Sequence, residues 1–84
     1  MARIELTPMN QQMLEKRYHD KVRECNANIR KAKKTYEDWY SASEAIRSRY
    51  TREEYKVEFV DFWREQRRYW VERLHQVRKG YILE

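Results

Sequence analysis

The sequence predicts an all-α fold, an antiparallel helical hairpin of two long helices at about 8–48 and 52–79. Three observations point to it. Glycine and proline occur once each, as Pro8 and Gly80, so nothing between them forces the chain out of a helix. Apolar residues recur at helical spacing through most of the chain. Capping residues then stand where the helices should begin and end.

The first helix starts at Thr7-Pro8. A threonine hydroxyl can accept an orphan backbone N–H, and proline at the first helical position has no N–H to leave unpaired. The stripe that follows is Tyr18, Val22, Cys25, Ile29, Ala32, Tyr36, Trp39, Ser43, Ile46 and Tyr50, with steps alternating between four and three. That alternation, the pattern of a coiled-coil seam, keeps one face toward a partner helix. Met9, Met13 and Leu14 lie upstream but out of phase, since Met13 is five residues before Tyr18.

Ser41 and Glu44 fit a capping box, which would break the first helix near Ser41 and give three helices. The same serines also fit solvent-facing positions in a continuous helix. The stripe crosses the site without losing phase, which favours the continuous reading.

Thr51-Arg52-Glu53-Glu54 is the stronger capping box. Tyr50 before it and Tyr55 after it stand at the two positions of a hydrophobic staple. The second helix then carries Tyr55, Phe59, Phe62, Trp63, Gln66, Tyr69, Trp70, Leu74 and Val77 on its apolar face. Arg78-Lys79-Gly80 ends it, with cations at the negative helix terminus and a glycine free to turn left-handed. Residues 1–7 and 80–84 remain as short apolar tails on a single domain spanning 1–84. At about 1.5 Å per residue the first helix should outreach the second by a dozen or so residues. Met9, Met13, Leu14 and Tyr18 then need cover, either from the tail Tyr81-Leu83 or from another chain.

Composition limits the function. With one cysteine there is no intramolecular disulfide framework and no cysteine-based zinc site. One glycine excludes glycine-rich phosphate loops. No apolar run is long enough to span a membrane, and the N-terminus lacks the apolar segment of a signal peptide, so a cytoplasmic location is expected. Cys25 lies on the apolar stripe, where burial would leave its thiol inert. His19 has no Glu-x-x-His partner, and Glu72 with His75 makes a single one where a di-metal bundle needs two, so no metal is expected. Neither a cofactor nor a small-molecule ligand is indicated, and nothing in the chain indicates an enzyme.

What remains is binding. Twelve residues, 14% of the chain, are aromatic, against 39% charged residues. The aromatic arc is wider than one partner helix needs, and Trp, Tyr and Arg are the residues enriched where interfaces bind tightly. Tyr36, Trp39, Tyr40, Phe59, Phe62, Trp63, Tyr69 and Trp70 are therefore the candidate protein interface. The partner would be another protein or a second copy, the latter completing a helical bundle. The net charge is +5, with an excess of +3 in residues 1–40 and +3 in residues 64–84. Arg30, Lys31, Lys33, Lys34, Arg64, Arg67, Arg68 and Arg78 are the alternative site, a set of basic ridges that would track a nucleic-acid backbone. Many of these cations have a carboxylate at helical spacing, which weighs toward a solvated face of mixed charge.

Overall fold

The computed structural model describes residues 2–83; the ends of the predicted tails, Met1 and Glu84, lie outside the described residues. The fold is mainly all-α, with a short two-stranded ribbon. Strand β1 (Arg3–Glu5) leads into helix α1 (Pro8–Glu37). A 3-10 turn (Trp39–Ser41) and helix α2 (Glu44–Arg49) follow. Helix α3 (Arg52–Tyr55) runs through a π-helical stretch (Lys56–Asp61) into α4 (Phe62–Arg78), and strand β2 (Tyr81–Leu83) ends the chain.

The caps lie largely where the sequence puts them. The Asn10 N–H donates to the Thr7 hydroxyl at 3.2 Å, with Pro8 opening α1. Thr51 and Glu54 make both halves of the capping box, each side chain accepting the other's backbone N–H at 3.1 Å. The Tyr50 and Tyr55 rings meet edge-on at 6.3 Å, as the staple requires.

The first helix does not continue to residue 48. It stops at Glu37, where Asp38 leaves helical geometry (φ −100°, ψ 44°), and Ala42 and Ser43 are extended. The cap of α2 is Ser43, not Ser41: its hydroxyl accepts the Ile46 N–H at 3.4 Å. Ser43, placed on the apolar stripe by spacing, is thus an exposed capping residue. The stripe keeps its phase across the break because the folded-back segment packs on the same core. Trp39 is buried there, with Ala42, Ile46 and Tyr50 against it. The break also removes the expected overhang of the first helix.

Along α1 and the α3–π–α4 helix, contacting residues run in opposite order. The Tyr18 and Trp70 rings meet at 5.3 Å, Arg67 bonds Asn26, and Arg78 bonds Glu15. Apolar packing gathers in two places. Near the turn it is Ala32, Trp39, Tyr55 and Val60, with the Phe59 ring stacked on Tyr55 at 4.6 Å. Near the chain ends it is Tyr18, Leu74 and Val77, covered by Leu6, Leu14, Val22, Trp70 and Ile82. Burying a Val or Leu side chain contributes about 1.5–3 kcal/mol, so these two clusters hold the long helices together. Cys25 is buried between them.

The π-helical stretch explains how Tyr55 and Val60 both reach the cluster near the turn. Tyr55 and Val60 are both buried, five residues apart. Five residues of α-helix turn by roughly 500°, which would put one of the two well off the core face. The wider π turn absorbs the extra residue and brings both inward. It also turns Val57 and Phe62 outward, where both are exposed.

The predicted apolar tails are the ribbon. Arg3 pairs with Leu83, Ile4 with Ile82 and Glu5 with Tyr81, antiparallel. Gly80 makes the return possible: its φ of +94° is left-handed, and its N–H donates to the Val77 carbonyl at 2.9 Å. The Leu6 N–H then donates to the Gly80 carbonyl at 2.9 Å, and the Leu83 N–H to Gln76 Oε1 at 3.2 Å. Of the two expected covers for the start of the first helix, the chain uses its own tail for Leu14 and Tyr18. Met9 and Met13 stay exposed.

Candidate docking surfaces

The chain covers most of its own aromatics. Of the eight in the candidate interface, Trp39 is buried and Tyr36, Phe59, Trp63 and Trp70 are half-buried. Tyr36 and Phe59 pack on the cluster at the turn, and Trp70 on the cluster at the chain ends. Arg52 lies over the Tyr36 ring at 4.4 Å and donates from Nε to the Tyr36 carbonyl at 2.9 Å. Trp39, Tyr36, Phe59 and Trp70 therefore serve mainly the chain's own fold, while the Trp63 ring meets Phe62 edge-on at 5.2 Å. Three are left on the surface: Tyr40 at 86%, Phe62 at 47% and Tyr69 at 48% exposure. Tyr40 stands alone at the 3-10 turn, away from the other two.

Phe62 and Tyr69 belong to a larger surface that spacing alone did not reveal. Val57, 62% exposed, lies one π-helical turn before Phe62. Glu58, Asp61 and Glu65 line the same shallow depression as Val57 and Phe62, and Glu53 and Glu54 adjoin Val57. The result is an apolar strip with carboxylates along its borders. A signal for it exists in the sequence: residues 53–65 hold five carboxylates, interrupted by Val57 and Phe62.

The eight candidate cations fall on several faces. Arg67 Nε donates to Asn26 Oδ1 at 2.7 Å, and Arg78 Nε to Glu15 Oε1 at 3.2 Å, which fixes one flank of the molecule. Arg30 and Lys33 lie four and seven residues beyond Asn26 and share that flank by helical spacing. Arg64, Arg67 and Arg68 line a groove there with Val71, Glu72 and His75. Lys31 and Lys34 are turned to other sides of α1.

The charges on this flank are largely matched within the chain. Lys33 faces Glu37 at 3.8 Å, Arg64 faces Asp61 at 3.9 Å, and Arg68 faces Glu65 at 3.7 Å. Arg30, Lys31 and Lys34 have no ion pair among the described residues. The basic residues thus form a mixed-charge surface rather than one continuous ridge.

Phe62 and Tyr69 are turned about 140° and 160° from Arg67 at roughly 100° per residue. They occupy the opposite flank, where Arg73 lies over both the Tyr69 and Tyr18 rings at 5.5 and 5.6 Å. Lys21 is on this flank as well, 5.9 Å from the Trp70 ring centre.

Burial pushes the Cys25 thiol above its ordinary value of 9.0, and the Glu24 carboxylate pushes it the same way. Among the described residues, no three His, Cys, Asp or Glu side chains gather where a metal ion would sit. No helix is long and apolar enough to cross a membrane among the described residues. Comparison with protein-family models, curated proteins and solved structures finds no match.

Proposed function

We propose that this chain is a non-enzymatic interaction module. In this reading α1 and the α3–π–α4 helix form an antiparallel hairpin that presents an apolar docking strip to another protein. The observation that carries it is the outward alignment of Val57, Phe62 and Tyr69 on a chain that, Tyr40 apart, shelters its other aromatics. Exposed aromatic residues rimmed by charge fit the anatomy of a protein interface, with an apolar centre and a polar border. The strip lies on a rigid helix, so docking requires no reordering of the backbone.

The nucleic-acid reading has less support. Backbone tracking draws its affinity from cations that can release counterions. Here most of the candidate cations already face a carboxylate or an amide of the same chain.

Site-specific photo-cross-linking separates the two. A photoreactive residue at position 62 or 69 should capture protein in the native cell, and one at Lys34 should not. Phe62→Glu should abolish capture from position 69. Equal capture from Lys34, or a salt-sensitive mobility shift with nucleic acid between 50 and 200 mM salt, would overturn the reading.

A further inference from the structure

The bond from Arg52 Nε to the Tyr36 carbonyl, 2.9 Å long, ties the start of α3 to the end of α1. Just beyond that pin, two rings rest on Tyr55, Trp39 at 5.5 Å and Tyr50 at 6.3 Å. Residues 40–49 leave the hairpin at Trp39 and rejoin it at Tyr50. They are thus a surface loop whose two ends are held together at its base.

Little holds the loop down between those ends. Only Ala42 and Ile46 are half-buried there, both against the cluster at the turn, and the rest of residues 40–49 are exposed. Their hydrogen bonds stay within residues 38–50. None of their side chains makes an ion pair among the described residues. Helix α2 has six residues, and so short a helix is marginal by itself. It stands over a hollow of about 300 Å³ lined by Ala45, Ile46, Arg49, Tyr50, Tyr55 and Phe59. Close packing leaves few voids larger than a water molecule, so α2 is propped on Ile46 rather than packed along its length.

We propose that residues 40–49 are a strap that opens and closes as one unit while the hairpin beneath stays folded. Opening gives up the Ala42 and Ile46 contacts and the Ser43 cap. It leaves Trp39, Tyr50 and the Arg52–Tyr36 pin in place. Segments with few buried apolar contacts open locally at lower cost than the whole protein unfolds. Lifting the strap widens the hollow and bares Tyr50, Tyr55 and Phe59 to solvent. None of its residues lines the depressions around Val57 and Phe62, so the device is separate from the docking strip.

Hydrogen exchange, read residue by residue at low urea concentrations, tests the proposal. The Arg47 N–H donates to the Ser43 carbonyl and the Tyr50 N–H to the Ile46 carbonyl, both at 3.1 Å. Corrected for intrinsic rates, these two amides should exchange at least about a hundredfold faster than those from Trp70 to Leu74. Their rates should move together and depend little on urea, because the opening exposes little surface. The Tyr55 N–H, which donates to the Thr51 carbonyl at 2.9 Å, should stay protected with α4. A chain carrying Ser43→Ala with Ile46→Ala should hold the strap open. Arg47 and Tyr50 then lose protection, while the chain keeps a cooperative urea transition.

Arg47 and Tyr50 amides that exchange only with α4, at its rate and with its urea dependence, would overturn the proposal. So would a Tyr55 amide that opens together with them, or a double variant that loses the cooperative transition.

Discussion

Arg67 reaches across from α4 to Asn26 on α1, with its Nε donating to the amide oxygen at 2.7 Å. The bond sits between the two apolar clusters and sets the rotation of one helix against the other. It also decides which cations share a flank and which aromatics face away from them. A double-mutant cycle of Asn26→Ala and Arg67→Ala should give a coupling of about 0.5–1 kcal/mol, because the pair is exposed to solvent. Urea unfolding of the two single variants and the double variant measures it. Strict additivity would mean that the bond is not held in solution.

The capping box at Thr51 should be a large contributor for its size. Thr51→Ala removes the acceptor for the Glu54 N–H and is expected to cost about 1 kcal/mol. Glu54→Ala removes the reciprocal bond to the Thr51 N–H. The two losses should be less than additive, since each half holds the other in place. Thermal or urea unfolding reads both.

The π-helical stretch makes a sharper prediction. Val60 is 2% exposed and Val57 is open to solvent, three residues away on the same helix. Val60→Ala should destabilise by about 2 kcal/mol through a lost core side chain, and Val57→Ala by no more than about 0.5 kcal/mol. Equal costs would mean that the helix keeps α spacing and that the strip around Phe62 is not formed as described.

Cys25 should react slowly with thiol reagents in the folded protein, and quickly once urea unfolds it. Its raised pKa fixes the sign of a pH effect. The folded state favours the neutral thiol, so this contribution to stability is complete below the ordinary value of 9.0. It is lost as pH rises past 9.0 toward the folded-state value. Cys25→Ala should flatten the fall in stability at high pH. An unchanged profile would show that the thiol does not contribute.

The local chemistry of the ends of helices was legible in the sequence. Thr7-Pro8, the Thr51 box and Gly80 each act through backbone groups within a few residues, so composition and spacing suffice to find them. The end of α1 at Glu37 was not legible. No glycine or proline marks it, and the apolar phase carries across because Trp39 and Ile46 pack on one core from two separate segments. Val60 was missed for a related reason. The line Phe59, Trp63, Gln66 and Trp70 fits an α-helix well, and one extra residue in a π turn leaves no trace in the spacing on either side. The candidate interface meets the same limit. Spacing identifies which aromatics can face a partner helix, but not which ones the chain's own turn will cover. Phe62 and Tyr69 stayed exposed, while Trp39 and Trp63 were drawn inward. The ribbon was visible only as apolar tails, since three-residue strands are too short to show a period.

That ribbon gives the chain an unusual dependence between its ends. A pair of three-residue strands has no stability of its own, and terminal residues ordinarily fray. Here Ile4 is held by Ile82, and Ile82 by Ile4. The loop they close is nearly the whole chain, so its closure entropy is recovered only when the helices between them are already folded. Each end is therefore a reporter on the other. Removing Arg3 to Glu5 should free the amide of Ile82, held opposite Ile4, for hydrogen exchange, far away in sequence but adjacent in space.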